Sequence, residues 1–96
     1  MYAVIFAAEI NKLDKSYFDT AKRMRELAIN KYGCTKFISV TEENKEISIS
    51  YWKDKEQIKK WKKDKEHQEA QSIGKSKWYK NYSVQIVEVM HEYHSN

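Results

Sequence analysis

The sequence predicts an α+β domain, in which a four-stranded antiparallel sheet carries its helices on one face. Short β-rich runs open and close the chain, a hairpin lies in its middle, and helical segments separate these parts. The predicted order is therefore β-α-β-β-α-β, which is the ferredoxin-like arrangement. The 96 residues suffice for one domain and are too few for two, so we assign residues 1–96 to a single domain.

The first strand is predicted over Tyr2 to Glu9, where β-branched and aromatic residues are dense. The segment "SYFDTAKRMRELAINKYG" then carries apolar residues at helical spacing. Asp14 or Ser16 offers an N-cap for this helix, and Gly33 is a C-terminal stop signal.

A β-hairpin is predicted next, with Thr35 to Thr41 and Glu46 to Trp52 as its arms and Glu43-Asn44-Lys45 as its turn. Asp54 and Gln57 form a capping box that starts a short helix.

A second helical piece is predicted from about Lys65 to Lys77. The closing segment "YSVQIVEVMHEY", Tyr82 to Tyr93, is predicted to be one long strand.

Both faces of the first and last strands are apolar. In the first strand Tyr2, Val4 and Phe6 alternate with Ala3, Ile5 and Ala7. Helices cover one face of such a sheet, and the other face is ordinarily polar. Since the chain has no further element to cover the second face, we expect a second copy to do so. The sequence thus predicts a homodimer with sheets packed face to face, a dimeric α+β barrel.

Composition argues against nucleic acid and membrane partners. The net charge is +4, but the lysines of "KDKEQIKKWKKDKEHQ" are interleaved with acidic residues, as on a solvated helix face. The RNA-recognition fold shares the predicted element order, yet the third strand "EISISYW" lacks its aromatic motif. No segment approaches the roughly 18 apolar residues of a membrane span.

Cys34 is the only cysteine, so no intrachain disulfide can form, and a lone thiol fits a reducing cytoplasm. No local motif supports a nucleophilic role for this thiol, and we interpret it as a buried bystander. The apolar N-terminus lacks the basic region of a signal peptide and is interpreted as a strand.

The segment "EHQEAQSIGKSKWYKNY" places five residues on one stripe of a helix: His67, Ala70, Gln71, Gly74 and Trp78. A helical glycine costs up to about 1 kcal/mol relative to alanine. We interpret Gly74 and Ala70 as a small-residue seam by which the helix seats on its sheet.

His67 has two interpretations. It is either a satisfied structural histidine or the one titratable group of an aromatic cleft formed with Trp61 and Trp52. If it faces a solvated cleft, His67→Ala should change stability by less than roughly 1 kcal/mol.

Several of these residues together resemble the antibiotic biosynthesis monooxygenase domain family. The resemblance covers roughly Tyr51 to Tyr93. It is carried by Tyr51-Trp52, Trp61, His67-x-x-Ala70-Gln71-x-x-Gly74, Trp78-Tyr79, Tyr82 and the closing valine-rich strand. Members that look like this are dimeric α+β barrels. They include cofactor-independent quinol-forming oxygenases, haem-degrading enzymes and proteins of no known activity.

The resemblance implies a cofactor-independent monooxygenase acting on an aromatic or phenolic small molecule. In this hypothesis His67 is the base or hydrogen-bond donor. The pocket residues are Trp52, Trp61, Trp78, Tyr79 and Tyr82. The alternative is a non-enzymatic small-molecule-binding or accessory protein of the same fold. Neither hypothesis requires a cofactor or a metal.

Haem degradation is not expected. In haem-degrading relatives a histidine ligates the iron, and the position that best matches it here is Gln71, a poor iron ligand. The asparagine of those enzymes corresponds to Ala7 or Ala8. His91 and His94 would lie on opposite faces of the predicted last strand, which argues against a metal site there.

Overall fold

The computed structural model describes residues 1–95 and confirms the predicted fold class. The elements in chain order are β1 (Tyr2–Ile10), α1 (Lys15–Asn30), β2 (Lys36–Glu42), β3 (Lys45–Trp52), α2 (Lys55–Lys63), α3 (Lys65–Ile73), a π-helical turn (Gly74–Trp78) and β4 (Tyr79–Glu88). The sheet order is β2-β3-β1-β4, and every neighbouring pair is antiparallel.

Helices α1 and α2 begin at the N-cap residues that the sequence predicted. Asp14 caps α1 by accepting a hydrogen bond from the backbone N–H of Tyr17 at 3.0 Å. Asp54 caps α2 through the N–H of Gln57 at 2.9 Å. The Gln57 side chain returns a bond to the N–H of Lys53 at 3.2 Å, one residue before the cap, so the capping box is slightly displaced.

The hairpin turn is tighter than predicted. Glu42 pairs with Lys45, so the loop contains only Glu43 and Asn44, and Lys45 already belongs to β3. Glu43 has a φ of 54°, a left-handed conformation that two-residue hairpin loops require.

The predicted bounds of the last strand were wrong at both ends. β4 begins at Tyr79 because the π-helical turn ends at Trp78, and the next residue, Tyr79, already pairs with Ile10 of β1. It ends at Glu88 because Glu88 pairs with Tyr2, the first residue of β1. The same turn divides the predicted Lys65 to Lys77 helix.

The core lies between the sheet and the helices. It consists of Val4, Ala28, Cys34, Trp52, Ile58 and Trp61. The Cys34 thiol donates to the carbonyl oxygen of Lys36 at 3.2 Å, and burial raises its pKa, so this thiol is a core group.

The opposite face of the sheet is apolar and exposed. Strand register places Ile38, Val40, Ile47 and Val87 on this face, and their exposed fractions lie between 37% and 59%. We call it the open face. Within residues 1–95, no helix is both long and apolar enough to cross a membrane.

Candidate functional site

A cavity of about 390 Å³ lies between the helix-facing side of the sheet and helices α1 and α3. Its volume falls in the range of small-molecule sites, about 300–1,000 Å³. The sheet contributes Val4, Phe6, Phe37, Ser39, Glu46, Ser48, Tyr79, Tyr82 and Val84; the helices and the π-helical turn contribute Tyr17, Thr20, Ala21, Met24, Arg25, Trp61, Lys62, His67, Ala70, Gln71 and Trp78.

The backbone of His67 is positioned by the start of α3. Asp64 caps this helix by accepting hydrogen bonds from the N–H groups of Glu66 at 2.8 Å and His67 at 3.2 Å. Tyr32 donates its hydroxyl to the same carboxylate at 2.6 Å. The pKa of Asp64 is lowered mainly by the Tyr32 hydrogen bond, so the cap stays ionised.

The imidazole of His67 is held in one tautomer. Its Nδ1 lies 2.9 Å from the backbone carbonyl oxygen of Trp61. Since a carbonyl only accepts, Nδ1 carries the proton and Nε2 presents its lone pair. Burial lowers the pKa of His67, so the ring is neutral at pH 7. His67 is 9% exposed, and it lines the cavity together with Trp61.

Trp61 lies against His67, with ring centroids 4.1 Å apart. Its side chain is buried, and its indole Nε1 has no hydrogen-bond partner among residues 1–95. An unpaired buried donor costs about 1–3 kcal/mol and therefore calls for an explanation. Trp61 lines the cavity, although its Nε1 is itself buried in this structure.

Trp52 does not line the cavity, which corrects its prediction as a pocket wall. It is fully buried behind Trp61, with ring centroids 5.1 Å apart. Its indole N–H is already paired with the Ser50 hydroxyl at 2.8 Å. Trp52 therefore supports the Trp61 ring from the core.

The other predicted pocket residues do meet around the cavity. The Trp78 indole N–H donates to Asp14 at 3.3 Å, and Lys77 pairs with that carboxylate at 2.7 Å, which ties the π-helical turn to the start of α1. The Tyr82 ring stacks on Phe6 at 5.5 Å.

The small residues of the predicted stripe have two different surroundings. Ala70 lines the cavity together with Gln71 and His67, whereas Gly74 lies close to a side chain of the sheet, as predicted. Gly74 is buried, and a Cβ built on it would lie 3.0 Å from the Tyr79 ring. The absence of a side chain at Gly74 therefore leaves room for the Tyr79 ring of β4.

Glu46 is a functional candidate that the sequence reasoning missed. Its side chain is 4% exposed and accepts hydrogen bonds from the Tyr17 hydroxyl and, at 3.3 Å, from the Tyr79 hydroxyl. Burial and this carboxylate raise the pKa of both phenols. The sequence did contain a signal for the position of Glu46. Residues two apart in a strand share a face, so Glu46, Ser48 and Ser50 lie on the same face of β3 as Trp52.

Metal-binding clusters are not found among residues 1–95: no group of three or more His, Cys, Asp or Glu side chains could hold an ion. His91 and His94 follow the end of β4, so the strand argument about their faces does not apply. His94 contacts Glu92 at 3.2 Å.

No family model matches the sequence. The uncharacterized protein YqjZ of Bacillus subtilis is 38% identical over 89 residues, which cover 92% of this chain and 78% of that protein. SnoaB, a cofactor-independent oxygenase from Streptomyces nogalater, superposes with a TM-score of 0.80 at 7% identity, over 95% of this chain and 94% of SnoaB.

A candidate antibiotic biosynthesis monooxygenase from Nitrosomonas europaea superposes with a TM-score of 0.77 at 14% identity, over 95% of this chain and 100% of that one. The resemblance to antibiotic biosynthesis monooxygenases is thereby confirmed at the level of the fold.

Proposed function

We propose that this chain is a cofactor-independent monooxygenase for an aromatic or phenolic molecule. The chain belongs to the same family as Bacillus subtilis YqjZ, and it has the antibiotic biosynthesis monooxygenase fold. One observation carries the proposal. The lone pair of His67 Nε2 and the unpaired indole N–H of Trp61 belong to adjacent rings on one cavity wall.

The first step is deprotonation of the substrate. A neutral imidazole with Nδ1 held by a carbonyl can accept a phenolic proton at Nε2. The Trp61 N–H then donates to the phenolate oxygen that forms. A donor already in place for developing charge is the arrangement that stabilises an oxyanion most effectively.

Oxidation then requires only dioxygen and the phenolate. The electron-rich ring reduces O₂ and forms a carbon–oxygen bond at a ring carbon that carries hydrogen. The resulting peroxide takes the proton back from His67 and loses water, leaving a quinone. In balance, one phenol and one O₂ give one quinone and one water. The buried aromatic wall around Trp61 keeps bulk water from the anion.

Oxygen consumption with 1-naphthol as the probe tests this function. We expect O₂ uptake matched mole for mole by naphthoquinone absorbance, and loss of both in His67→Asn. Saturable quenching of tryptophan fluorescence without O₂ uptake would instead support the non-enzymatic binding protein. If no phenol in a panel were bound or turned over, that result would refute the site itself.

We also propose that the protein is a homodimer joined through the open face. Ile38, Val40, Ile47 and Val87 expose apolar side chains there, and monomeric soluble proteins rarely leave such a contiguous patch uncovered. Two copies packed by this face would leave the cavity of each chain free, because the cavity lies on the helix side of the sheet.

A further inference from the structure

Glu46 is a buried carboxylate without a cation. Among residues 1–95, its side chain accepts hydrogen bonds only from the neutral phenols of Tyr17 and Tyr79. No Lys, Arg or His among residues 1–95 forms an ion pair with it. Buried charges in proteins are ordinarily paired with an opposite charge, and a carboxylate has acceptor sites beyond those that two phenols use.

Aromatic rings surround this end of the cavity. Phe6, Tyr17, Trp78 and Tyr79 all line it, and neighbouring ring centroids lie 5.3 to 6.3 Å apart. Ring faces attract cations because of their quadrupole, and organic ammonium groups are recognised by such aromatic walls. A carboxylate among aromatic rings therefore favours a positively charged nitrogen over a neutral or anionic group.

The opposite end of the cavity carries the protein's own cations. Arg25 lies over the Phe37 ring at 5.6 Å, and Phe37 pairs with Ser50 on β3. Ser50 is four residues along β3 from Glu46, or roughly 13 Å at about 3.3 Å per residue. Arg25 and Lys62 thus favour an anionic oxygen at the end where Trp61 contacts Phe37.

We propose that the ligand is an aromatic amine, with a phenolic oxygen at Trp61 and His67 and a protonated nitrogen at Glu46. This inference rests on the cavity of the proposed function but not on its chemistry. It identifies the class of molecule that the two ends select together, and it requires no turnover.

Three near-isosteric probes test the charge preference: tyramine, 4-propylphenol and 3-(4-hydroxyphenyl)propionate carry a positive, a neutral and a negative end. Tryptophan fluorescence titration of the wild-type protein should give tyramine the lowest Kd, by at least about tenfold over 4-propylphenol. Equal affinity, stronger binding of the neutral or anionic probe, or no binding at all would overturn the proposal.

Glu46→Gln, which keeps the shape and removes the charge, should abolish the preference for tyramine while leaving 4-propylphenol affinity within about twofold. Persistence of the preference in this variant would refute the role of Glu46. Tyr79→Phe is the second variant, because it removes a neutral partner but keeps the carboxylate. The Tyr79→Phe variant should retain the preference for tyramine. If the preference were lost in this variant, the selectivity would come from the Tyr79 hydroxyl and not from Glu46. Absence of O₂ uptake would bear on the monooxygenase proposal alone.

Discussion

The imidazole of His67 packs on the indole of Trp61 with ring centroids 4.1 Å apart, and it also bonds the backbone carbonyl of the same residue. Trp61 thus fixes both the plane and the tautomer of the histidine. The pair links the end of α2 to the first turn of α3, and both residues line the cavity.

His67→Asn should separate the two roles of the histidine. The asparagine amide can replace the Nδ1 hydrogen bond to Trp61 but supplies no base at the Nε2 position. We expect a loss of about 1 kcal/mol in unfolding free energy and a roughly 10²–10⁴-fold fall in oxygen uptake. His67→Ala should cost more, about 1–3 kcal/mol, because it leaves a carbonyl unpaired and opens a void.

Denaturant unfolding and an oxygen electrode measure both quantities, and His91→Asn in the exposed tail is the control. A His67→Asn variant with unchanged turnover would show that the histidine is a packing residue.

Stability should fall as pH drops below 6.5 because of His67. Burial lowers its pKa below the usual 6.5, so the unfolded chain binds this proton more readily than the folded protein does. The contribution of His67 is therefore complete above pH 6.5 and declines as pH falls toward the folded-state pKa. Melts across this range should show a steeper decline for the wild type than for His67→Asn, and parallel declines would contradict the assignment.

Tyr17→Phe should destabilise the fold by about 1.5–3 kcal/mol, because it removes a hydrogen bond to a buried carboxylate. Tyr82→Phe is the matched control. Tyr82 lines the same cavity, and its hydroxyl makes no hydrogen bond among residues 1–95, so we expect a change below about 0.5 kcal/mol. Equal effects of the two substitutions in urea unfolding would mean that the phenol–Glu46 bond contributes little.

Gly74→Leu should destabilise the protein by about 1–3 kcal/mol, through overpacking against the Tyr79 ring. Gly74→Ala should have a smaller net effect, because alanine gains up to about 1 kcal/mol in helix propensity while its Cβ displaces the same ring. Ser72→Ala, on the exposed side of α3, controls for propensity alone. A Gly74→Leu variant that melts like the wild type would show that the ring moves freely.

Ile47→Lys should convert the proposed homodimer to a monomer. Ile47 is 45% exposed on the open face, and a lysine there would place like charges in a symmetric interface. Ile73→Lys is the matched control, since Ile73 is 41% exposed on α3, away from that face. Light scattering at micromolar concentration should give twice the 11.5 kDa chain mass for the wild type and the control. A monomeric wild type would refute the interface.

The candidate site was only partly predictable. Trp61, His67, Trp78, Tyr79 and Tyr82 were identified from a resemblance that spans the second half of the chain, and all five line the cavity. Glu46 and Tyr17 were missed. Their hydrogen bond joins residues 29 positions apart, and no local pattern records such a contact.

The sequence by itself determined the order of the elements and the helix starts at Asp14 and Asp54. These depend on periodicity and on bonds that span three residues, so neighbouring residues suffice to specify them. Only the tertiary structure decided where β4 ends, what lies against Gly74, and that Trp61 and Trp78 line the cavity while Trp52 does not. Those outcomes depend on strand register against Tyr2, on the Tyr79 ring and on the stacking of Trp52 behind Trp61, which are contacts made when distant segments pack.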